Sequence, residues 1–153
     1  MANTYGPTNL VVGSEIRGRT SPMTRERIQW YDDGLESAVY GYFRRCGVNI
    51  HTDDEFARSQ GLPAIIADGM MSTNWISSML VSEFGVDYLE RGQLRTKFIK
   101  PIFEDEVIAT RGKVVGVEKL ANGAVRYSLE VWCEDKDGVK RTDGDAQVEV
   151  AKR

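Results

Sequence analysis

The chain contains one histidine, His51. Any proton transfer by an imidazole must run through it, and with one imidazole per chain a two- or three-histidine zinc site is excluded within it. A second chemistry-bearing pair, Asp68-Gly69, stands immediately ahead of a long apolar segment. There a carboxylate can cap a helix or face a cleft. A glycine, having no Cβ, lets a backbone N–H approach a ligand at the positive end of the helix dipole. The cysteines, Cys46 and Cys133, form no Cys-x-x-Cys arrangement. They are expected as free thiols in a reducing, cytoplasmic setting, with Cys46 as packing rather than a nucleophile, since no base is placed beside it. The chain has no phosphate-binding Gly-x-x-x-x-Gly-Lys-Ser/Thr loop, no Gly-x-Gly-x-x-Gly turn and no Gly-x-Ser-x-Gly elbow.

The elements that must position these residues are legible as patterns. Residues 1–12 read as an arm and 13–153 as one domain. Glu15 to Thr20 forms a candidate strand ended by Ser21-Pro22. Thr24 is placed to cap a helix whose apolar face carries Ile28, Tyr31, Leu35 and Val39, at steps of three and four. Thr52-Asp53-Asp54-Glu55 fits a capping box, opening a short helix that should stop near Gly61-Leu62-Pro63. His51 then lies in a loop just ahead of that helix. From Met70 to Phe84 apolar residues cover most of a helical wheel, and Glu83 is the sole charge, so this helix should be buried. The remainder alternates like strands: Leu94, Thr96 and Phe98; Val107–Val117; Val125–Trp132; Val139–Val150. Asn122-Gly123 and Asp137-Gly138 mark tight hairpins between the later runs. The expected architecture is α+β: an antiparallel sheet curled around one long central helix.

Composition narrows the partners. With 153 residues, 20 bases and 23 acids, the formal charge is −3. That balance lacks the basic footprint of a nucleic-acid binder and the cationic excess that draws a protein to an anionic membrane. No stretch reads as a membrane span or a secretory signal.

The segment from His51-Thr-Asp-Asp-Glu-Phe-Ala through Ala67-Asp-Gly-Met resembles the hydratase signature of the MaoC-like enoyl-CoA hydratases and dehydratases, which have the hot-dog fold. Lys97-Phe98-Ile99-Lys100-Pro101-Ile102-Phe103 and Gly144-Asp145-Ala146-Gln147-Val148 continue the likeness into the strands after the central helix. The resemblance implies a hydratase/dehydratase that interconverts 2-enoyl and 3-hydroxyacyl thioesters of coenzyme A or of an acyl-carrier protein. It implies no metal or redox cofactor, and a homodimer or dimer of dimers. It also implies roles: His51 in acid–base catalysis, the Gly69 amide on the thioester carbonyl, and a steadying serine at Ser77.

Two positions depart from the family pattern. The family's loop aspartate, five residues before its histidine, is Cys46 here, and the histidine of its His-Gly-Met turn is Asp68. One reading moves the acid: Asp68 and His51 form the pair across the cleft, within about 3 Å or one bridging water of each other. A competing reading is a non-catalytic acyl-thioester-binding subunit of a heteromeric dehydratase, to be preferred if the Asp68 carboxylate turns into its own helix amides. A hot-dog thioesterase, which uses a carboxylate on or beside the central helix, ranks last.

Overall fold

A computed structural model describes residues 10–152. The arm expected over residues 1–12 falls largely outside them. Its end is tied to the domain, with Leu10 packed on the core and Gly13 N–H donating to Val114 O at 2.8 Å.

The elements in chain order are β1 (Glu15–Pro22), α1 (Arg25–Tyr40), α2 (Asp54–Ser59), α3 (Gly69–Phe84), α4 (Val86–Arg91), β2 (Gly92–Phe98), β3 (Val107–Lys119), β4 (Val125–Glu134) and β5 (Lys140–Val150). All strand pairs are antiparallel, and the sheet order is β1-β3-β4-β5-β2. The two predicted hairpins join β3 to β4 and β4 to β5. Their turn glycines, Gly123 and Gly138, have φ of 82° and 76°, the left-handed region that glycine reaches without strain. β2 does not continue the meander: it crosses to the far edge and pairs with β5.

The sheet curls around α3. Ile76, Leu80 and Phe84 of that helix are fully buried, against Ile108 and Val114 of β3, Leu129 and Val131 of β4, and Val148 of β5. β1 closes over α3 so tightly that a Cβ at Gly18 would lie 2.9 Å from Thr110 Cβ and 3.0 Å from Met79 Cβ. β1 carries a register shift between Arg17 and Thr20 at this crossing. This is the α+β arrangement expected, with one difference. α3 is not covered all round: Met70, Asn74, Ser78 and Ser82, spaced by four, form a stripe open to the surface of the chain.

Two local expectations are corrected, and one helix is added. α1 is capped by Thr24, which accepts from Arg27 N–H, and buries Ile28, but Leu35 and Val39 are exposed. The apolar spacing persists beyond the point where the helix leaves the core. The capping box is not formed. Asp53 caps α2 by accepting from Phe56 N–H at 2.7 Å, because the Thr52 hydroxyl is already engaged, accepting from Asn49 N–H and donating to Gly47 O. α4 was not anticipated; it begins directly after Gly85, which ends α3.

Candidate active site

His51 is held by its loop and by a strand-like segment beside it. The Asn49 side chain organises the turn by accepting from His51 N–H at 2.7 Å, while Asn49 O accepts from Thr52 and Asp53 N–H. Ile66 N–H donates to Ile50 O, and Ala67 N–H to Ile102 O, so the loop, residues 66–67 and residues 102–103 form one ladder. Against this wall His51 Nδ1 lies 2.8 Å from Ile66 O. A carbonyl oxygen can only accept, so Nδ1 carries the hydrogen and Nε2 is left for chemistry.

α3 delivers the second component. Asp68 caps it, one carboxylate oxygen accepting from Met70 N–H at 2.7 Å. Among the described residues, the Gly69 N–H has no hydrogen-bond acceptor. Gly69 lines a cleft at the positive end of a 16-residue helix. Glycine is required there: a Cβ on Gly69 would come within 2.7 Å of the Phe98 ring. The first turn is pinned from below. The Ser72 hydroxyl donates to Gly69 O at 2.6 Å and so must accept from Thr142, 2.7 Å away in β5; both are buried.

Two clefts meet at His51. The larger, ≈ 380 Å³, is mainly apolar and runs between His51 and Gly69 on one side and Phe98, Ile99 and Pro101 on the other. The smaller, ≈ 220 Å³, is bounded by His51, Asp68, Cys46, Asn49 and the acidic face of α1. The outer wall of the larger cleft is held in place by Arg141, whose guanidinium donates to Pro101 O and to Asp135, both at 3.0 Å, and pairs with Glu106. α1 is tied to the same region by Arg25, which bonds Asp54 of α2 at 2.9 Å and Glu104 at 3.0 Å.

The structure brings His51, Asp68 and Gly69 together and leaves Ser77 aside. Ser77 lies about 12 Å along α3 from Gly69, lines neither cleft, and accepts from the Tyr88 hydroxyl of α4 at 3.1 Å. Ser72 is the serine that steadies the helix start. Asp68 borders the smaller cleft, but one of its oxygens is committed to the cap, and no direct ion pair joins it to His51 among the described residues. Cys46 is a free thiol whose ionisation burial and the charges of Asp32 and Glu36 push up, so it stays protonated. It receives a hydrogen bond from Asn49 Nδ2 at 3.2 Å.

Sequence reasoning missed Asp32. It lies on α1, only 4% exposed, and lines the smaller cleft with His51. Burial drives its carboxyl above the usual range and the charge of Asp68 adds to this, while the His51 ring and the Asn49 amide oppose it. The signal was present: Asp32 follows Ile28 by four residues, on the face that enters the core.

Residues 48–133 match the profile of the MaoC like domain. The mesaconyl-CoA hydratase of Cereibacter sphaeroides is 28% identical over 100 residues, 65% of this chain but 28% of that protein, so the match spans under a third of the relative's length. Among solved structures, the (R)-hydratase PhaJ1 of Pseudomonas aeruginosa superposes with a TM-score of 0.67 at 22% identity, over 94% of this chain and 84% of that one. The 3R-hydroxyacyl-ACP dehydratase complex HadBC of Mycobacterium tuberculosis gives 0.63 at 15% identity, over 92% and 98%. At these identities the two structures establish the shared hot-dog fold.

Proposed function

Since the chain belongs to the MaoC-like dehydratase family, we propose that it interconverts 2-enoyl and 3-hydroxyacyl thioesters, with coenzyme A as the carrier. The observation that carries this reading is the pairing of an unengaged helix-start amide, Gly69, with an imidazole whose Nε2 is free, at the mouth of an apolar cleft. When water adds to the β-carbon of an enoyl thioester, the electron pair of the double bond moves toward the carbonyl and negative charge builds on its oxygen. The Gly69 N–H and the dipole of α3 are aimed at such a charge before it develops. His51 Nε2, with Nδ1 fixed on Ile66 O, is the acceptor for the water proton. Asp68 sets the turn that presents Gly69 and adds negative charge to the small cleft.

The mesaconyl-CoA hydratase among the relatives supports a CoA thioester as substrate. The HadBC complex supports keeping an acyl-carrier-protein substrate and a heteromeric assembly as the second reading. In that reading this chain binds the acyl thioester without catalysis. The absence of an acid at Cys46 and the turn of the Asp68 carboxylate onto its own helix amide favour it; the acid on α1 speaks against it. A homodimer fits the free edges of the sheet, β1 and β2, and the exposed Trp30, Val39 and Phe43 on and after α1.

The test uses purified protein and a panel of 2-enoyl-CoAs. The proposal expects loss of the conjugated enoyl absorbance with the thioester intact. Release of free thiol indicates a thioesterase. No consumption by this chain alone, with activity restored by a second hot-dog chain, indicates the subunit reading.

A further inference from the structure

We propose that Asp32, from α1, is the catalytic acid that partners His51, so that the carboxylate missing from the loop at Cys46 is supplied by a different element. The inference rests on the hydratase reading above and names the proton donor of that same site.

Three observations carry it. Asp32 is 4% exposed, and its Oδ2 is one of two buried side-chain polar atoms without a hydrogen-bond partner among the described residues. A buried carboxylate oxygen left unsatisfied costs stability, so its retention calls for a compensating role. The ≈ 220 Å³ cleft it lines also holds His51 and is wide enough for a water or the reacting carbons. Finally, the loop is tied to the helix that carries Asp32. Cys46, at the position expected to bear the acid, is neutral and is drawn to α1, its N–H donating to Asp33 Oδ1 at 2.7 Å. A carboxylate at position 46 would stand beside Asp32 as an uncompensated like charge.

The other charged groups facing the cleft are Glu36 on α1 and Asp68 at the start of α3, with Asp33 nearby on α1; Cys46 is its titratable thiol. Asp68 is the weaker candidate, having one oxygen in its cap. The step balances with a single proton on the pair. His51 is neutral at Nε2 and Asp32 is protonated. Water forms its C–O bond at Cβ while its proton passes to Nε2. The π pair moves onto the carbonyl oxygen held by Gly69 N–H, and the resulting enolate takes the Asp32 proton at Cα. His51 then carries the proton taken from the attacking water while Asp32 is ionised, and transfer of that proton to the carboxylate through the next water resets the pair. Dehydration is the reverse.

The experiment compares wild type, Asp32→Asn, Asp32→Glu and Asp68→Asn with crotonyl-CoA, alongside thermal unfolding. The expected result is that D32N lowers kcat/KM by about 10²-fold or more with Tm unchanged or raised, that D32E keeps more activity than D32N, and that D68N loses under 10-fold. D32N within a few-fold of wild type, or D32E no more active than D32N, overturns the proposal. If wild type consumes no enoyl thioester, the hydratase reading fails and the assignment of Asp32 falls with it.

Discussion

His51 owes its usable nitrogen to a neighbour that cannot donate. The Ile66 carbonyl fixes the hydrogen on Nδ1, and the ring therefore presents Nε2 to the clefts. His51→Ala is expected to lower kcat/KM on an enoyl-CoA by about 10²–10³-fold, with folding intact, since the ring is half-buried at a cleft wall rather than in the core; steady-state kinetics and a melting curve check both halves. Asp68→Asn keeps an N-cap, because asparagine caps as well as aspartate does, so its Tm should stay close to wild type. At this scale the sequence showed His51 and Gly69 clearly, because each is fixed by local pattern: a lone imidazole ahead of a helix and a glycine at a helix start. It did not show Asp32, which is 19 residues from His51 (51 − 32) and reaches it only once α1 has folded back. Nor did it separate Ser72 from Ser77, since both lie on one helix and only the position of β5 decides which serine meets a partner.

Each wall of the site is held by an element that a single change can loosen. Ser72→Ala removes the donor to Gly69 O and leaves the buried Thr142 hydroxyl without its acceptor. The expected cost is about 1–3 kcal/mol of stability, read by denaturant unfolding, with a smaller loss of activity than in H51A. Arg141→Met strips the buried partner from Asp135 and Glu106 and frees the Pro101 segment; Tm should fall by roughly 10 °C. Element positions were largely readable from sequence, since the β3–β4 and β4–β5 hairpins follow from Asn-Gly and Asp-Gly turns. Element pairing was less so. That β2 joins β5 at the far edge depends on the sheet wrapping α3, a long-range outcome that no local pattern encodes. α4 escaped notice for a related reason: at six residues it is too short to show a helical period, and it follows α3 after a single glycine, Gly85.

Across the whole molecule, buried and paired carboxylates pull stability in opposite directions with pH. Asp54 and Asp135 are held below the ordinary carboxylate range, Asp54 first by the Ile65 N–H and then by Arg25, and Asp135 first by the Val139 N–H. Their contribution is present above the unfolded value of about 3.9 and is lost as pH falls through their depressed folded values. Asp32 is raised by burial, so its folded state holds the proton more tightly and is penalised as pH rises. The Tm advantage of D32N over wild type should therefore be near zero at acid pH and grow toward neutral pH; a constant difference would contradict the buried placement of Asp32. No helix among the described residues is long and apolar enough to cross a membrane. Two exposed apolar residues of α1, Leu35 and Val39, border the small cleft.

We propose that an imidazole, an unengaged helix-start amide and an apolar cleft together hydrate an enoyl thioester. The most direct measurement follows crotonyl-CoA with wild type and H51A side by side, reading enoyl absorbance and free thiol in the same reaction. Wild type should consume the enoyl group without thiol release, and H51A should be slower by at least about 10²-fold. Thiol release by wild type, or equal rates in the two proteins, would contradict it.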